Sequence, residues 1–333
     1  MRRLARALFA VFIALAFGSV AILAVGENPF RIYGILFRGA FGSTFALLST
    51  LTRATPIILC GLGAAVAWKS GYQGVGGEGQ MIWGGFIAAA VAAHFPGPPA
   101  LRILFALVFA LLAGGLWSLI SAVLADKFKV ALVISTLLMN FIADIVVWHF
   151  LVRIPAAGIP AYMRLPRFVP HHTLHYGIFF ALLFVFLVWF LLNRTRFGYE
   201  ARMTGLNPNF SSYGGINSRK IMYGVLALSG MISAFAGVVE VFGVNYRYMR
   251  GAFTTASFAW VGLAAALVSR FHPVGILFTS IFLAGITTGS AAVSRATDVP
   301  IGIATIIQGA IFLFISAQLL KGRRNKRSEK EMI

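Results

Sequence analysis

Acidic side chains are scarce in this sequence. Nine Asp and Glu stand against 28 Lys and Arg in 333 residues, and all charged residues together make up 11%. A soluble domain carries about 25% charge because its surface faces water, so this composition excludes a water-soluble body of this size. Cysteine is nearly absent. The one cysteine, Cys60, sits in an apolar run, which excludes an internal disulfide framework. Also missing are the patterns G-x-x-x-x-G-K-S/T, H-E-x-x-H and G-x-S-x-G. The chain therefore has no phosphate-binding loop of its own and nothing that resembles a catalytic constellation. The net charge of +19 does not point to nucleic acid, because the basic residues are scattered through short loops and one tail. No soluble helix or sheet is expected to carry them as a basic face.

What is abundant is apolar. Hydrophobic residues make up 59% of the chain, and mean hydropathy is +0.87. A hydrocarbon core about 30 Å thick requires runs of about 20 apolar residues per helix, and several such runs follow one another. The expected fold is all-α, a polytopic membrane protein of about ten transmembrane helices. The spacing predicts helices at 7–25, 46–69, 80–96, 101–125, 130–152, 176–193, 221–242, 256–270, 272–292 and 301–320. Residues 1–320 form one transmembrane domain and 321–333 a basic cytoplasmic tail beside anionic lipid. The amino-terminal apolar stretch is longer than the 7–15 residues of a signal core, so it reads as an uncleaved first helix. With the amino terminus inside, 18 Lys and Arg fall on the cytoplasmic side and nine on the other, with Arg53 inside a span. That asymmetry places both termini in the cytoplasm.

Polar residues inside such a chain are informative because lipid does not tolerate them. The segment Gly74-Val75-Gly76-Gly77-Glu78-Gly79-Gln80 matches G-x-G-x-x-G in form only. No soluble strand precedes it and no acidic residue lies about 20 positions on, so it is not a dinucleotide site. Residues 70–79 are too polar and Gly-rich for lipid contact, and Glu78 and Gln80 face either a cavity or the cytoplasm. Asn140 and Asp144 lie four apart, on one helical face. Asp144 and Glu240 read as interhelical hydrogen-bonding groups or, in a proton-coupled transporter, as proton sites. Arg53 pairs with one of the acids. His171, His172 and His175 cluster in an outer loop with no carboxylate or cysteine nearby, which argues against a metal. The inward loop 194–220 exceeds the usual 2–8 residues between helices. A short helix in it, broken or started at Asn207-Pro208, would expose Tyr199, Leu206 and Phe210 to a partner.

These segments resemble permease subunits of ABC importers for nucleosides and simple sugars, within the branched-chain amino acid permease superfamily. The resemblance runs from about Glu27 to Gln318. It rests on GENPFRIYGILFRGAFGS, RATPIILCGLGAAVAW, GVGGEGQMIWGG, VISTLLMNFIA, TRFGYEARMTGLNPNFSSYGGINSRK, FAWVGLAAALVSRFHPVGI and VPIGIATIIQGAIF. Gly74 stands where the family usually has Asn and Leu132 where it commonly has Glu. Ser211 and Ser212 replace a small Ala pair. The resemblance implies an ABC ATPase subunit that uses ATP, a second permease subunit, an outer substrate-binding lipoprotein, and no chemistry or cofactor in this chain. The candidates for the substrate path are the polar groups within or beside the spans, Glu78, Gln80, Asn140, Asp144 and Glu240. The resemblance places Phe197, Gly198, Tyr199, Glu200, Gly205, Leu206, Asn207, Pro208, Phe210 and Asn217 in the ATPase-coupling segment. The substrate class stays open between nucleoside, simple sugar and a flavin-like vitamin.

Overall fold

The computed structural model describes residues 26–154, 158–169 and 172–297, together with a few isolated positions in 16–23 and at 302 and 306. The expected helices at 7–25 and 301–320 and the tail 321–333 lie almost wholly outside the described residues, as does His171. The described chain is helical, with one isolated β-bridge between Arg167 and His175. In chain order the helices are α1 (Pro29–Phe41), α2 (Thr44–Lys69), α3 (Gly77–His94), α4 (Pro99–Lys127), α5 (Leu132–Arg153), α6 (Gly177–Arg194), α7 (Arg196–Leu206), α8 (Pro208–Tyr213), α9 (Ser218–Glu240), α10 (Ala252–Ala256), α11 (Phe258–Val268) and α12 (Pro273–Ala296). Among the described residues six stretches are long and apolar enough to cross a membrane: α2, α4, α5, α6, α9 with its continuation to Asn245, and α12.

Several sequence expectations shift. The segment read as an outer stretch, GENPFRIYGILFRGAFGS, contains α1, started by Pro29 and capped by the Asn28 side chain on the Phe30 N–H at 2.9 Å. The helix expected at 256–270 is α11, two residues shorter at each end, and Ser257, with positive φ (53°), sets it off from the short α10 that precedes it. The helix expected at 221–242 ends at Glu240 and passes into a π-turn, Val241–Asn245. A turn of this kind inserts where packing demands extra room in the helix.

The chain divides into two compact units, Leu51–Ser280 and the flanking residues up to Thr50 and from Ile281. In the flanking unit, α1 packs on the end of α12: a Cβ added at Gly39 would collide with Ala292, and one added at Gly289 would meet Leu36. In the 51–280 unit, α9 lies against α3 and α4, and α3 also meets α4 and α5. Small residues set that seam. A Cβ on Gly114 would be 2.6 Å from the Gly230 carbonyl oxygen, and Gly84 and Gly237 abut Ala234 and the Met81 carbonyl. Removing side chains lets backbones touch where helices cannot be driven together by a hydrophobic effect.

The loop between α5 and α6 folds onto the π-turn. The Ile159 N–H donates to Tyr246 O (2.6 Å) and the Leu165 N–H to Phe242 O (2.9 Å). The guanidinium groups of Arg164 and Arg167 lie 4.7 and 5.4 Å from the centre of the Tyr246 ring. His175 is fully buried between Gly177 and Gly243, with Nδ1 accepting from the Gly177 N–H at 3.0 Å. Burial, with Arg167 beside it, lowers its pKa to about 4.

Candidate functional site

The Gly-rich turn after α2 is built from hydrogen bonds rather than packing. α2 contains Pro56 and ends at Lys69, after which Gly71 takes a positive φ of 88°. The Trp68 indole N–H donates to Gly74 O (2.7 Å), and the Val75 N–H donates to Thr136 Oγ1 (3.0 Å). Asn140, on α5, then uses its whole carboxamide. Nδ2 donates to Val75 O at 2.9 Å, and Oδ1 accepts from the Gly79 N–H at 2.9 Å. The two partners fix which way the amide points. The helical spacing read from the sequence thus turns Asn140 inward, where one α5 residue holds the turn from both sides.

The structure corrects one boundary. The break ends at Gly76, and Gly77, Glu78 and Gly79 form the first turn of α3 instead of lying in the irregular stretch. Glu78 there reaches across to α11, its Oε2 accepting from the Trp260 indole N–H at 2.9 Å. Gln80 points the other way. It is 4% exposed, and its Oε1 is buried without a partner among the described residues. Beside it is a cavity of about 20 Å³ lined by Cys60, Gly74, Gly76, Thr136 and Trp260, room for about one water. The Gly74 departure lies on this cavity: a Cβ there would touch Thr136 at an ordinary 3.4 Å. Leu132, the other departure, is the first residue of α5, and its carbonyl accepts from the Thr136 hydroxyl at 2.7 Å.

Asp144 is one turn along α5 from Asn140. Its Oδ2 accepts from Arg250 Nη2 (3.0 Å) and Nε (3.2 Å), and the Arg250 guanidinium lies 4.7 Å from the centre of the Trp148 ring. Glu240 stands apart from this group. It is buried at the end of α9, its charge coupled to that of Arg53, whose guanidinium sits over the Phe258 ring at 5.9 Å. Glu78, Gln80, Asn140 and Asp144 are therefore linked through one turn and one helix, whereas no hydrogen bond among the described residues joins Glu240 to them. Among the described residues no group of three His, Cys, Asp or Glu could hold a metal, and His171 lies outside them.

The inward loop folds into α7 and α8. The Thr195 hydroxyl caps α7 by accepting from the Gly198 N–H (3.1 Å), and Asn207 starts α8 by accepting from the Phe210 N–H (3.1 Å), with Pro208 at the first position. The proposed coupling residues separate by role. Gly198 abuts the Leu191 carbonyl, the Phe197 ring packs against Gly224 of α9, Asn217 caps α9 through the Lys220 N–H, and Glu200 pairs with Arg196 at 2.9 Å. Tyr199, Leu206 and Phe210 are exposed, and so is Tyr213, which the sequence reading passed over; Leu206 is 77% and Tyr213 92% exposed. Gly205 has a different position. Its backbone sits directly on residues 69–71, where a Cβ would strike the Lys69 carbonyl and lie 2.9 Å from the Gly71 nitrogen. The Tyr72 hydroxyl, donating to Ser218 O at 2.8 Å, ties the same turn to the far end of the loop.

Trp260, Trp148 and Arg250 were not singled out from the sequence. Trp260 lay inside a quoted segment, but nothing local marks an indole that bonds a carboxylate 182 residues away.

Residues 46–316 match the family described as branched-chain amino acid transport system / permease component. The chain is 32% identical to the guanosine ABC transporter permease protein NupP of Bacillus subtilis, over 93% of this chain and 92% of that one. It is 28% identical to the glucose ABC transporter permease protein TsgB13 of Haloferax volcanii, over 92% of this chain and 85% of that one. It is 25% identical to the nucleoside ABC transporter permease protein NupB of Lactococcus lactis, over 94% and 90%. No solved structure matches the chain at a significant level.

Proposed function

This chain belongs to the permease-component family of branched-chain amino acid transport systems and is a multi-pass protein of the cell membrane, and on that premise we propose that it is the membrane subunit of an ATP-driven importer of nucleosides. The observation that carries the nucleoside reading is the 32% identity with a guanosine permease along nearly the whole of both chains. The relative named for glucose, at 28% identity, supports the same architecture with a sugar as the second reading.

In this proposal the chain has about ten spans with both termini in the cytoplasm. It pairs with a dissimilar second permease and receives substrate from an outer binding lipoprotein. ATP is used by a separate ATPase, because the sequence carries no P-loop. The ATPase docks on α7 and α8, where Leu206, Phe210, Tyr199 and Tyr213 stand exposed. The path runs past Glu78, Gln80, Asn140 and Asp144, with Glu240 contributing from the end of α9. The Asp144 carboxylate is paired with Arg250, which favours a path-lining or structural group over the free proton carrier that a secondary transporter needs.

The test is Leu206→Asp in the purified complex. A few apolar anchors usually carry most of an interface, each worth about 2 kcal/mol or more, so the variant is expected to lose the ATPase on co-purification or to hydrolyse ATP without substrate stimulation. Unchanged binding and coupling would remove α7 and α8 from the mechanism. Guanosine and glucose uptake by the native complex separates the two substrate readings.

A further inference from the structure

We propose that substrate meets this chain at a half-exposed wall made by Trp260 with Glu78 and by the Asp144–Arg250–Trp148 cluster, with Gln80 behind it, and that this wall selects a flat aromatic ring bearing hydroxyl groups. The inference rests on the importer reading and names the recognition residues within it.

Depth is the first argument. Asp144 lies near the middle of the 22-residue α5. Its ion pair with Arg250 is not buried: the side chains keep 29% and 43% of their surface. A charged pair open at mid-span faces water or protein, not hydrocarbon. On α6 the exposed side chains along the helix include Phe179, Leu182, Leu183, Phe186 and Phe190, all apolar, as a lipid-facing helix requires; α5 also exposes Leu138, Phe141 and Ile145, and what sets it apart is the Asp144–Arg250 pair among them. The Asn140 clamp on Gly79 fixes the first turn of α3 against the same helix, one turn from Asp144, so Glu78 and Asp144 belong to one region.

Chemistry is the second. Trp260 and Trp148 are each 43% exposed. The Trp260 N–H is engaged by Glu78, which leaves its ring face to stack. Glu78 Oε1 and Asp144 Oδ1 have no partner among the described residues, so each can accept from a substrate hydroxyl. Indole faces stack on a nucleobase or a similar fused ring through both π-faces, whereas a pyranose packs on an indole through its C–H groups, so the choice between them falls to the polar groups around the ring. Third, the cavity behind Trp260 is lined by Gln80, whose buried Oε1 has no partner among the described residues and so remains an acceptor for a ring N–H. Its present size admits about one water, so Gln80 acts on a ring N–H through that water while Trp260 stays bonded to Glu78.

The test uses the complete transporter in vesicles, with radiolabelled guanosine and glucose as probes. Trp260→Ala is expected to lower guanosine uptake about tenfold, the loss of one base-stacking contact. Trp260→Phe keeps a ring and is expected to retain most of the uptake. Phe186→Ala, on the apolar face of α6, should transport like the native protein. Guanosine uptake at the native rate in both Trp260→Ala and Trp148→Ala would overturn the proposal. A second arm does not depend on substrate. In a Cys60→Ser background, a water-soluble thiol reagent should label Trp148→Cys and spare Phe186→Cys, and equal labelling of the two would overturn the wall. Native vesicles that import neither probe would count against the importer reading, and the labelling contrast would then decide the wall alone.

Discussion

Glycine serves opposite purposes in two regions of the 51–280 unit. Along α3, α4 and α9 it removes side chains so that backbones meet, as Gly114 does against Gly230 and Gly84 against Ala234. That seam is held by close packing over a large area. In the 70–77 turn the glycines instead leave amides and carbonyls open, and side chains from elsewhere claim them: Trp68 takes Gly74 O, Thr136 takes the Val75 N–H, and Asn140 takes both Val75 O and the Gly79 N–H. A packed seam has no slack, since interiors approach crystal density. A turn held by four directional bonds can be released one bond at a time. The comparison assigns rigidity to the seam and motion to the turn, and the candidate site lies where they join.

The severest way to break that comparison is to add volume to the seam. Gly114→Val would drive a side chain into Ala234 and the Gly230 carbonyl. Overpacking costs about 1–3 kcal/mol, so the yield of folded protein, measured by size-exclusion fluorescence, is expected to fall about tenfold. Normal yield would mean the seam is softer than its contacts imply. A smaller effect is expected at the join. Asn140→Ala frees Val75 O and the Gly79 N–H, and leaving buried groups unpaired costs about 1–3 kcal/mol. Transport should fall further than yield, because the loss is confined to the turn; an equal fall in both would make Asn140 a fold residue only.

The smallest effect is expected away from both regions, at His175. Its folded pKa of about 4 lies below the ordinary value of 6.5. The unfolded state therefore binds the proton more readily, and the stability from His175 is complete above about pH 6.5 and declines as pH falls toward 4. The melting temperature of the native protein should drop between pH 7 and 5 by more than that of His175→Gln. Parallel pH profiles would show that the buried imidazole contributes nothing to acid sensitivity.

Much of the frame was legible in the sequence, because apolar run length and turn residues are local signals. α2, α4, α5, α6 and α12 lie within a few residues of the expected spans, and Asn207-Pro208 starts a helix as its backbone preferences require. The misses are long-range. Nothing in the sequence announces the positive φ at Ser257 that sets α10 off from α11, and nothing local marks the π-turn after Glu240, on which the loop between α5 and α6 packs. At the candidate site the spacing of Asn140 and Asp144 was readable, yet their partners were not. Val75 and Gly79 lie 65 and 61 residues from Asn140, and Arg250 lies 106 from Asp144. The partner of Arg53 was left open by the sequence for the same reason, and in the structure its guanidinium lies over the Phe258 ring at 5.9 Å.

The seat of Gly205 on residues 69–71 carries a mechanical consequence. Side chains between two moving parts act as springs, since rotamers give before backbones do. Here there is no side chain on either glycine, and peptide group rests on peptide group. The joint therefore has almost no compliance. A displacement of α7 would press directly on the start of the Gly-rich turn, which Tyr72 also ties to Ser218 O at the far end of the loop. Such a push would load the four hydrogen bonds that hold Gly74 to Gly79, and a methyl group at position 205 would jam the joint without altering the exposed face of α7 and α8.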